Sequence, residues 1–254
     1  MSGVVLKDRR NTAGINTFVF GYNNSGTGFH SLVTGDSNNS SGQYSAIFGN
    51  SNIERGQFNF IHGGSNNVAG GQHTTVFGYS NTTGLGVDNV IIGNNNINSN
   101  FASLSSVDYI LGNNNTVWGD HVYAIGSNNQ LGEYSKSFGE TNILNGYDYT
   151  IGSDNTISSN HSYVFGRLNN ISAGSNNDGI NNYVLGKDNV VIGSNNYIFG
   201  IKQKVTGVGN VIIGKEDVLK AYGTTGTPIN NAVIINGINT VHNDSTHIGK
   251  DIYI

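Results

Sequence analysis

The sequence predicts an all-β chain wound as a parallel β-solenoid with coils of fourteen residues, and three observations predict it. Glycine recurs every seven residues without a break at Gly14, Gly21, Gly28, Gly35, Gly42, Gly49, Gly56, Gly63 and Gly70. Every second one closes an apolar triplet, as in Phe18-Val19-Phe20-Gly21, Leu32-Val33-Thr34-Gly35, Ala46-Ile47-Phe48-Gly49 and Phe60-Ile61-His62-Gly63, so the true repeat is fourteen. Asparagine stands three residues after most of these anchor glycines, at Asn24, Asn38, Asn52, Asn66, Asn81, Asn96, Asn115 and Asn129, then at Asn142, Asn155, Asn169 and Asn189. Self-similarity at a short fixed period is the mark of a repeat architecture. The triplets are rich in Val, Ile, Phe and Tyr, residues that suit a pleated strand. Gly and Asn tolerate the left-handed backbone region, so a Gly-x-x-Asn unit turns a corner cheaply. Coils stacked at the strand spacing of ~4.8 Å would carry about fourteen turns between Gly21 and Gly214 over roughly 65 Å. The stacked asparagines are expected to form a structural ladder, hydrogen-bonded along the axis.

Each element follows in order. Residues 1–13 are read as an N-terminal arm, with the charged run Lys7-Asp8-Arg9-Arg10 as a docking or solvating segment. The repeat domain covers 14–214, with later anchors at Gly78, Gly93, Gly112, Gly126, Gly139, Gly152, Gly166, Gly186, Gly200 and Gly214. The step lengthens to 19 between Gly93 and Gly112 and to 20 between Gly166 and Gly186, and the pattern loosens after Gly214. The extra residues are expected to leave the coil as loops over 99–108, 174–180 and 215–230. Insertions in solenoids gather on the surface and often carry binding. The candidate receptor contacts are therefore Asn100, Phe101, Ser103, Ser105, Asn176, Asn177, Asp178, Tyr222 and Thr224. Residues 215–254 are read as a C-terminal cap or transition segment, because the last coil of a solenoid presents unpaired backbone groups. Within it KEDVLKAY, from Lys215 to Tyr222, is the most helical stretch, and apolar strands return at 232–235 and 252–254.

Composition supports this architecture and excludes others. Only 11% of the 254 residues are charged, whereas glycine numbers 37 and asparagine 42, and both oppose helix interiors. A net charge of −4 with 10% aromatics is unlike a disordered chain. No basic patch is available for a phosphate backbone among 12 Lys and Arg, so nucleic acid is not an expected partner. No apolar run approaches the ~18 residues of a membrane span or the core of a signal peptide, so no membrane insertion is expected. The absence of cysteine excludes disulfides and thiolate metal sites.

The strands also bear on assembly. The residue two before each anchor is small or β-branched, as at Val19, Val33, Ile47, Ile61, Val76, Ile91, Ile110, Val164 and Val184, while its neighbours are large, as at Phe18 and Phe20, Tyr109 and Leu111, Tyr163 and Phe165. Successive side chains point to opposite faces, so both faces of this strand are apolar and one coil hides only one of them. The other face calls for a partner chain, most simply through cyclic symmetry.

Segments such as Tyr123-Ala124-Ile125-Gly126-Ser127-Asn128-Asn129 and Val90-Ile91-Ile92-Gly93-Asn94-Asn95-Asn96 resemble the fourteen-residue head repeat of YadA-type trimeric autotransporter adhesins, over roughly residues 14–214. Similar rolls are found in phage tail and head fibres. The resemblance implies a β-roll, a homotrimeric rod and attachment to a surface. Neither the secretion signal nor the stalk and membrane anchor of the adhesin family is recognisable, which turns the expectation towards a virion fibre assembled in the host cytoplasm. Its expected partners are two further copies of itself, other virion proteins at one end, and a host-surface glycan or receptor. A purely structural spacer, a bacterial cell-surface adhesin fragment and a polysaccharide depolymerase are the alternatives; ice binding is more remote, because regular threonine rows are lacking.

No catalytic, cofactor or metal residues are assigned, and no cofactor is expected. His30, His73, His121 and His161 sit five residues before an anchor glycine, where other coils carry Tyr44, Phe58, Tyr134 and Tyr147, so histidine reads as one member of an aromatic stack. Near the end, His242 and His247 are less regular, and no HxH or HExxH pattern accompanies them. The 16 carboxylates are scattered, with Asp36, Asp154 and Asp188 placed as turn formers, and no pair stands out at the spacing a glycosidase needs.

Overall fold

The computed structural model describes residues 4–6, 10–68, 70–99, 107–173, 181–215, 218–219, 231–235 and 246–248. These are strands and turns throughout, with no helix among them. From Gly21 to Gly200 each coil contains a long strand that runs through the anchor glycine, followed by a second, usually shorter strand. Successive coils pair in parallel, long strand on long strand and short on short, which is a parallel β-solenoid.

The chain divides into two compact units, Met1–Asn128 and Asn129–Ile254. In the first, long strands such as Phe18–Tyr22, Leu32–Asp36, Ala46–Asn50, Phe60–Gly64 and Thr75–Tyr79 stack with anchor over anchor, Gly21 on Gly35 on Gly49 on Gly63 on Gly78. The short strands, among them Ser25–Gly26, Asn39–Ser40 and Ile53–Glu54, pair in their own sheet. In the second unit the same order runs from Lys136–Glu140 through Tyr149–Ser153, Tyr163–Arg167, Tyr183–Lys187 and Tyr197–Ile201 to Val211–Lys215.

Register survives the long steps. Gly93 pairs with Gly112 and Gly166 with Gly186, so the inserted residues do not displace the next coil. The loop drawn over 99–108 is shorter than expected at both ends. The Ser99 amide donates to the Val117 carbonyl at 2.8 Å, and Asp108 is fully buried.

The stack is also longer than the glycine period draws it. Val4–Leu6 pairs with Phe18–Phe20, and Thr12–Ala13 with Ser25–Gly26, so strands already stand within the segment read as an arm. At the other end Val233–Ile235 pairs with Val211–Ile213, and Thr246–Ile248 with Val233–Ile235, inside the segment read as a cap. Val218–Leu219, expected within a helical stretch, is a strand paired with Lys204–Val205. The open edge of the neighbouring coil offers a complete set of backbone partners, which outweighs the weak local helix preference. The expected strand at 252–254 lies outside the described residues.

Two corners per coil explain the period of seven. The residue two after each anchor has a left-handed backbone, with φ of 54° at Asn23, 58° at Ser37, 56° at Ser51 and 55° at Ser65. So does the residue five before the next anchor, at 56° for His30, 57° for Tyr44, 57° for Phe58 and 50° for His73. The asparagine of Gly-x-x-Asn is therefore not the corner residue. The residue before it turns, and the asparagine follows buried.

The core lies between the two strand columns of each coil. Val19, Val33, Ile47, Ile61, Val76, Ile91 and Ile110 fill it from the long strands of the first unit, and all are fully buried. The facing short-strand positions there include Ser40, Glu54, Thr83 and Asn98, all buried. In the second unit they are Leu131, Leu144, Ile157, Ile171, Val191 and Val205, and the long strands face them with Ser137 and Thr150, then with Val164, Val184, Ile198 and Ile212.

Candidate binding surface and internal polar ladders

The eight asparagines Asn24, Asn38, Asn52, Asn66, Asn81, Asn96, Asn115 and Asn129 are all buried. The first seven stack along the first unit. Asn52 shows the arrangement: its backbone N–H and its Nδ2 both donate to Asn38 Oδ1 at 3.0 Å, and Nδ2 also donates to the Gly63 carbonyl at 2.9 Å. Its own Oδ1 accepts from the Asn66 backbone and Nδ2 at 3.1 and 2.9 Å. Each amide thus spends both its donors and its acceptor inside the stack, so none is offered to a ligand. Asn129 starts the same arrangement in the second unit, accepting from Asn142 Nδ2 at 3.1 Å and donating to the Gly139 carbonyl at 2.9 Å.

A second ladder stands four residues before the anchors. Asn59 accepts from the Thr74 amide at 2.9 Å, Asn89 from the Asp108 amide at 3.1 Å, and Asn196 from Asn210 Nδ2 at 3.0 Å. Sequence reasoning missed it, because the position carries Thr, Ser, Asn and Asp in turn, and Val at Val122, and so shows no single-residue signature. What Ser31, Ser45, Asn59, Asn89, Asp108, Asp148, Asn182 and Asn196 share is an oxygen that caps the N–H of the next coil.

Two of the three buried carboxylates are members of this ladder. Asp108 accepts from the Val122 amide and from Asn98 Nδ2, both at 2.9 Å, and burial pushes its carboxyl up to about 6. Asp148 accepts from the Ser162 amide at 2.9 Å, and burial pushes it up to about 8. Glu54 sits on the inner short-strand column and accepts from Ser40 Oγ at 2.9 Å and Asn59 Nδ2 at 2.8 Å; burial raises it too, against those hydrogen bonds. All three face the interior, where their oxygens terminate backbone and side-chain donors.

The exterior is of a different kind. The outward positions of the long strands leave Phe18, Phe60, Phe77, Ile92, Tyr163, Phe165, Tyr183, Leu185, Tyr197 and Phe199 exposed, Phe18 at 49% and Leu185 at 52%. Neighbouring rings stack along this face, Tyr163 on Tyr183 at 5.0 Å and Tyr183 on Tyr197 at 4.9 Å.

A separate stack runs along the left-handed corner. His30, Tyr44, Phe58 and His73 follow one another at 5.0, 5.0 and 5.1 Å, and Tyr134, Tyr147 and His161 at 4.8 and 4.9 Å. His121 occupies the same kind of corner at φ 58°. Each interior ring of a stack has its faces taken by its neighbours, so it shows solvent its edge. His73 Nδ1 lies 3.2 Å from Asp88 Oδ1 in an exposed pair. No group of three or more metal-ligating side chains converges among the described residues.

The candidate receptor contacts Asn100, Phe101, Ser103, Ser105, Asn176, Asn177, Asp178, Tyr222 and Thr224 lie outside the described residues, as does His242. His247 falls in the last described strand. Fold and surface define a β-solenoid repeat protein. No protein-family model matches the chain, and no curated protein is significantly similar to it.

Proposed function

We propose that this chain is a structural fibre protein of a virion, a phage tail or head fibre, that assembles as a homotrimer and attaches to a glycan on the host cell surface. One observation carries the reading: in each unit the long strands turn one column inward and leave a second, apolar one in solvent, with Phe18, Phe60 and Phe77 in the first and Tyr163, Leu185 and Phe199 in the second. An exposed stripe of that extent marks an interface, and three copies side by side would cover it. The buried carboxylates support a non-catalytic role, since each is committed to internal hydrogen bonds. Attachment would then work by avidity, three copies of a weak contact acting together. The repeat's resemblance to adhesin heads supports the same reading, and a bacterial cell-surface adhesin is the neighbouring one.

Light scattering coupled to small-angle scattering tests the assembly. The expected result is an elongated particle of three times the 26.9 kDa chain mass. A compact monomer would overturn the fibre. Adherence of the fluorescently labelled protein to host cells, lost after enzymatic removal of their surface glycans, tests the attachment.

A further inference from the structure

We propose that Tyr79, with the amides of Asn94 and Asn113 beside it, forms a subsite for a neutral hexopyranose glycan, an assignment that rests on the attachment function above. Tyr79 is 62% exposed, the highest value of any large apolar side chain among the described residues. It follows an anchor glycine directly, in a column that reads Asp36, Asn50, Gly64, Tyr79, Asn94 and Asn113 on successive coils. Only at Gly64 does this column lack a side chain, and the tyrosine ring leans into that space. A Cβ on Gly64 would meet Tyr79 Cε1 at 2.8 Å and Cδ1 at 2.9 Å. The ring is thereby laid along the stack, over a buried glycine.

Its surroundings separate it from the stacked rings of the corner and from Tyr22. The corner rings cover one another's faces at 4.8–5.1 Å. Tyr22, its equivalent on the first coil of the column, lies beneath the Arg10 guanidinium, 5.2 Å from the ring centre. Tyr79 makes no ring contact among the described residues, so its face is available. A pyranose sugar carries a patch of C–H groups on one face and hydroxyls around its rim, which matches an open aromatic face bordered by hydrogen-bonding groups.

That border is present and ordered. Asn94 Oδ1 accepts from the Tyr79 amide at 3.1 Å, and Asn113 Oδ1 accepts from the Asn94 amide at 3.1 Å and from its Nδ2 at 3.3 Å. The chain of bonds fixes two exposed amides at the strand spacing of ~4.8 Å, close to the length of one sugar residue. Ser65, Ser80 and Asn95 add exposed groups on the adjoining corner. Neither this column nor that corner carries Lys or Arg within the first unit, so nothing there would pair with the carboxylate of an acidic sugar. The class of ligand is therefore a neutral glycan lying along the stack.

Calorimetry and saturation-transfer NMR on the full chain provide the test, with maltohexaose, cellohexaose and a mannan hexasaccharide as neutral probes and sialyllactose as the acidic one. The expected result is binding of at least one neutral probe, roughly tenfold or more weaker in Tyr79→Ala and retained within roughly threefold in Tyr79→Phe. Gly64→Val, which keeps the tyrosine but lifts its ring, should weaken binding as well. Thermal unfolding should be unchanged in Tyr79→Ala, since the side chain is exposed. A neutral probe bound equally by wild type and Tyr79→Ala, or binding of sialyllactose alone, would overturn the subsite and leave glycan attachment standing. Wild type that binds no probe and does not adhere to host cells would overturn both.

Discussion

At Gly49 the backbone φ is 130°, a conformation closed to side chains with a Cβ, and a Cβ there would lie 1.8 Å from the Gly63 carbonyl oxygen of the next coil. Two separate requirements, dihedral and distance, thus fall on one atom. Gly49→Ala is expected to cost about 2 kcal/mol or more, read as a fall in the thermal midpoint. Asp148 gives a pH-dependent counterpart. Burial holds its carboxyl at about 8 against a usual 3.8, so between those values the folded chain binds a proton that the unfolded chain has lost. Stability from this group is complete below about pH 4 and is lost as pH rises through 8, by at most about 1.4 kcal/mol per pH unit. Asp148→Asn places there the residue that the same ladder position carries at Asn59 and Asn196. Melting curves from pH 4 to 9 should show a higher midpoint at pH 8 and a flatter profile for the variant; an unaltered profile would remove Asp148 as its source.

At the scale of the coil, stability comes from repetition of a few stacked columns. Val164 is fully buried, with Thr150 and Val184 as its register partners on either side. A carboxylate at that point has no solvent and no donor beside it but the Thr150 hydroxyl. Val164→Asp should prevent folding, seen as loss of the far-ultraviolet β signal, and a folded variant would contradict the inward assignment of this column. The corners obey a different balance. Tyr44 holds φ 57°, unfavourable for a bulky residue, but its ring is stacked between His30 and Phe58 at 5.0 Å on each side, and such pairs contribute about 0.5–1.5 kcal/mol each. Stacking thus offsets the backbone strain and permits Tyr, Phe and His where Asn and Gly would otherwise stand.

For the molecule as a whole, the outward apolar column is what assembly must answer. Leu185 belongs to it and is half-exposed in the single chain. On a free surface Leu185→Glu would change stability by less than about 0.5 kcal/mol. In the proposed trimer it buries three carboxylates at one level of the interface. The variant is expected to keep its β-sheet signal and run at the mass of one chain in light scattering. A variant still three chains in mass would place the interface elsewhere.

The sequence by itself determined the solenoid, its fourteen-residue coil, the inward residues at Val19, Val33 and Ile47, and the asparagine row, because each is a local demand repeated coil after coil. Backbone conformation at the anchors and side-chain alternation along the strands leave their signature in residue type and spacing. Only the tertiary structure decided that the turn residue precedes the asparagine, as at Ser51 before Asn52, that Val4–Leu6 and Val233–Ile235 join the stack, and that Asp108 lies inside it. It alone revealed the second polar ladder and the ring of Tyr79 laid over Gly64. Those features depend on which residue lies one coil away, thirteen to twenty-two positions distant in the chain, and a side chain's neighbours at that range are set by stacking register.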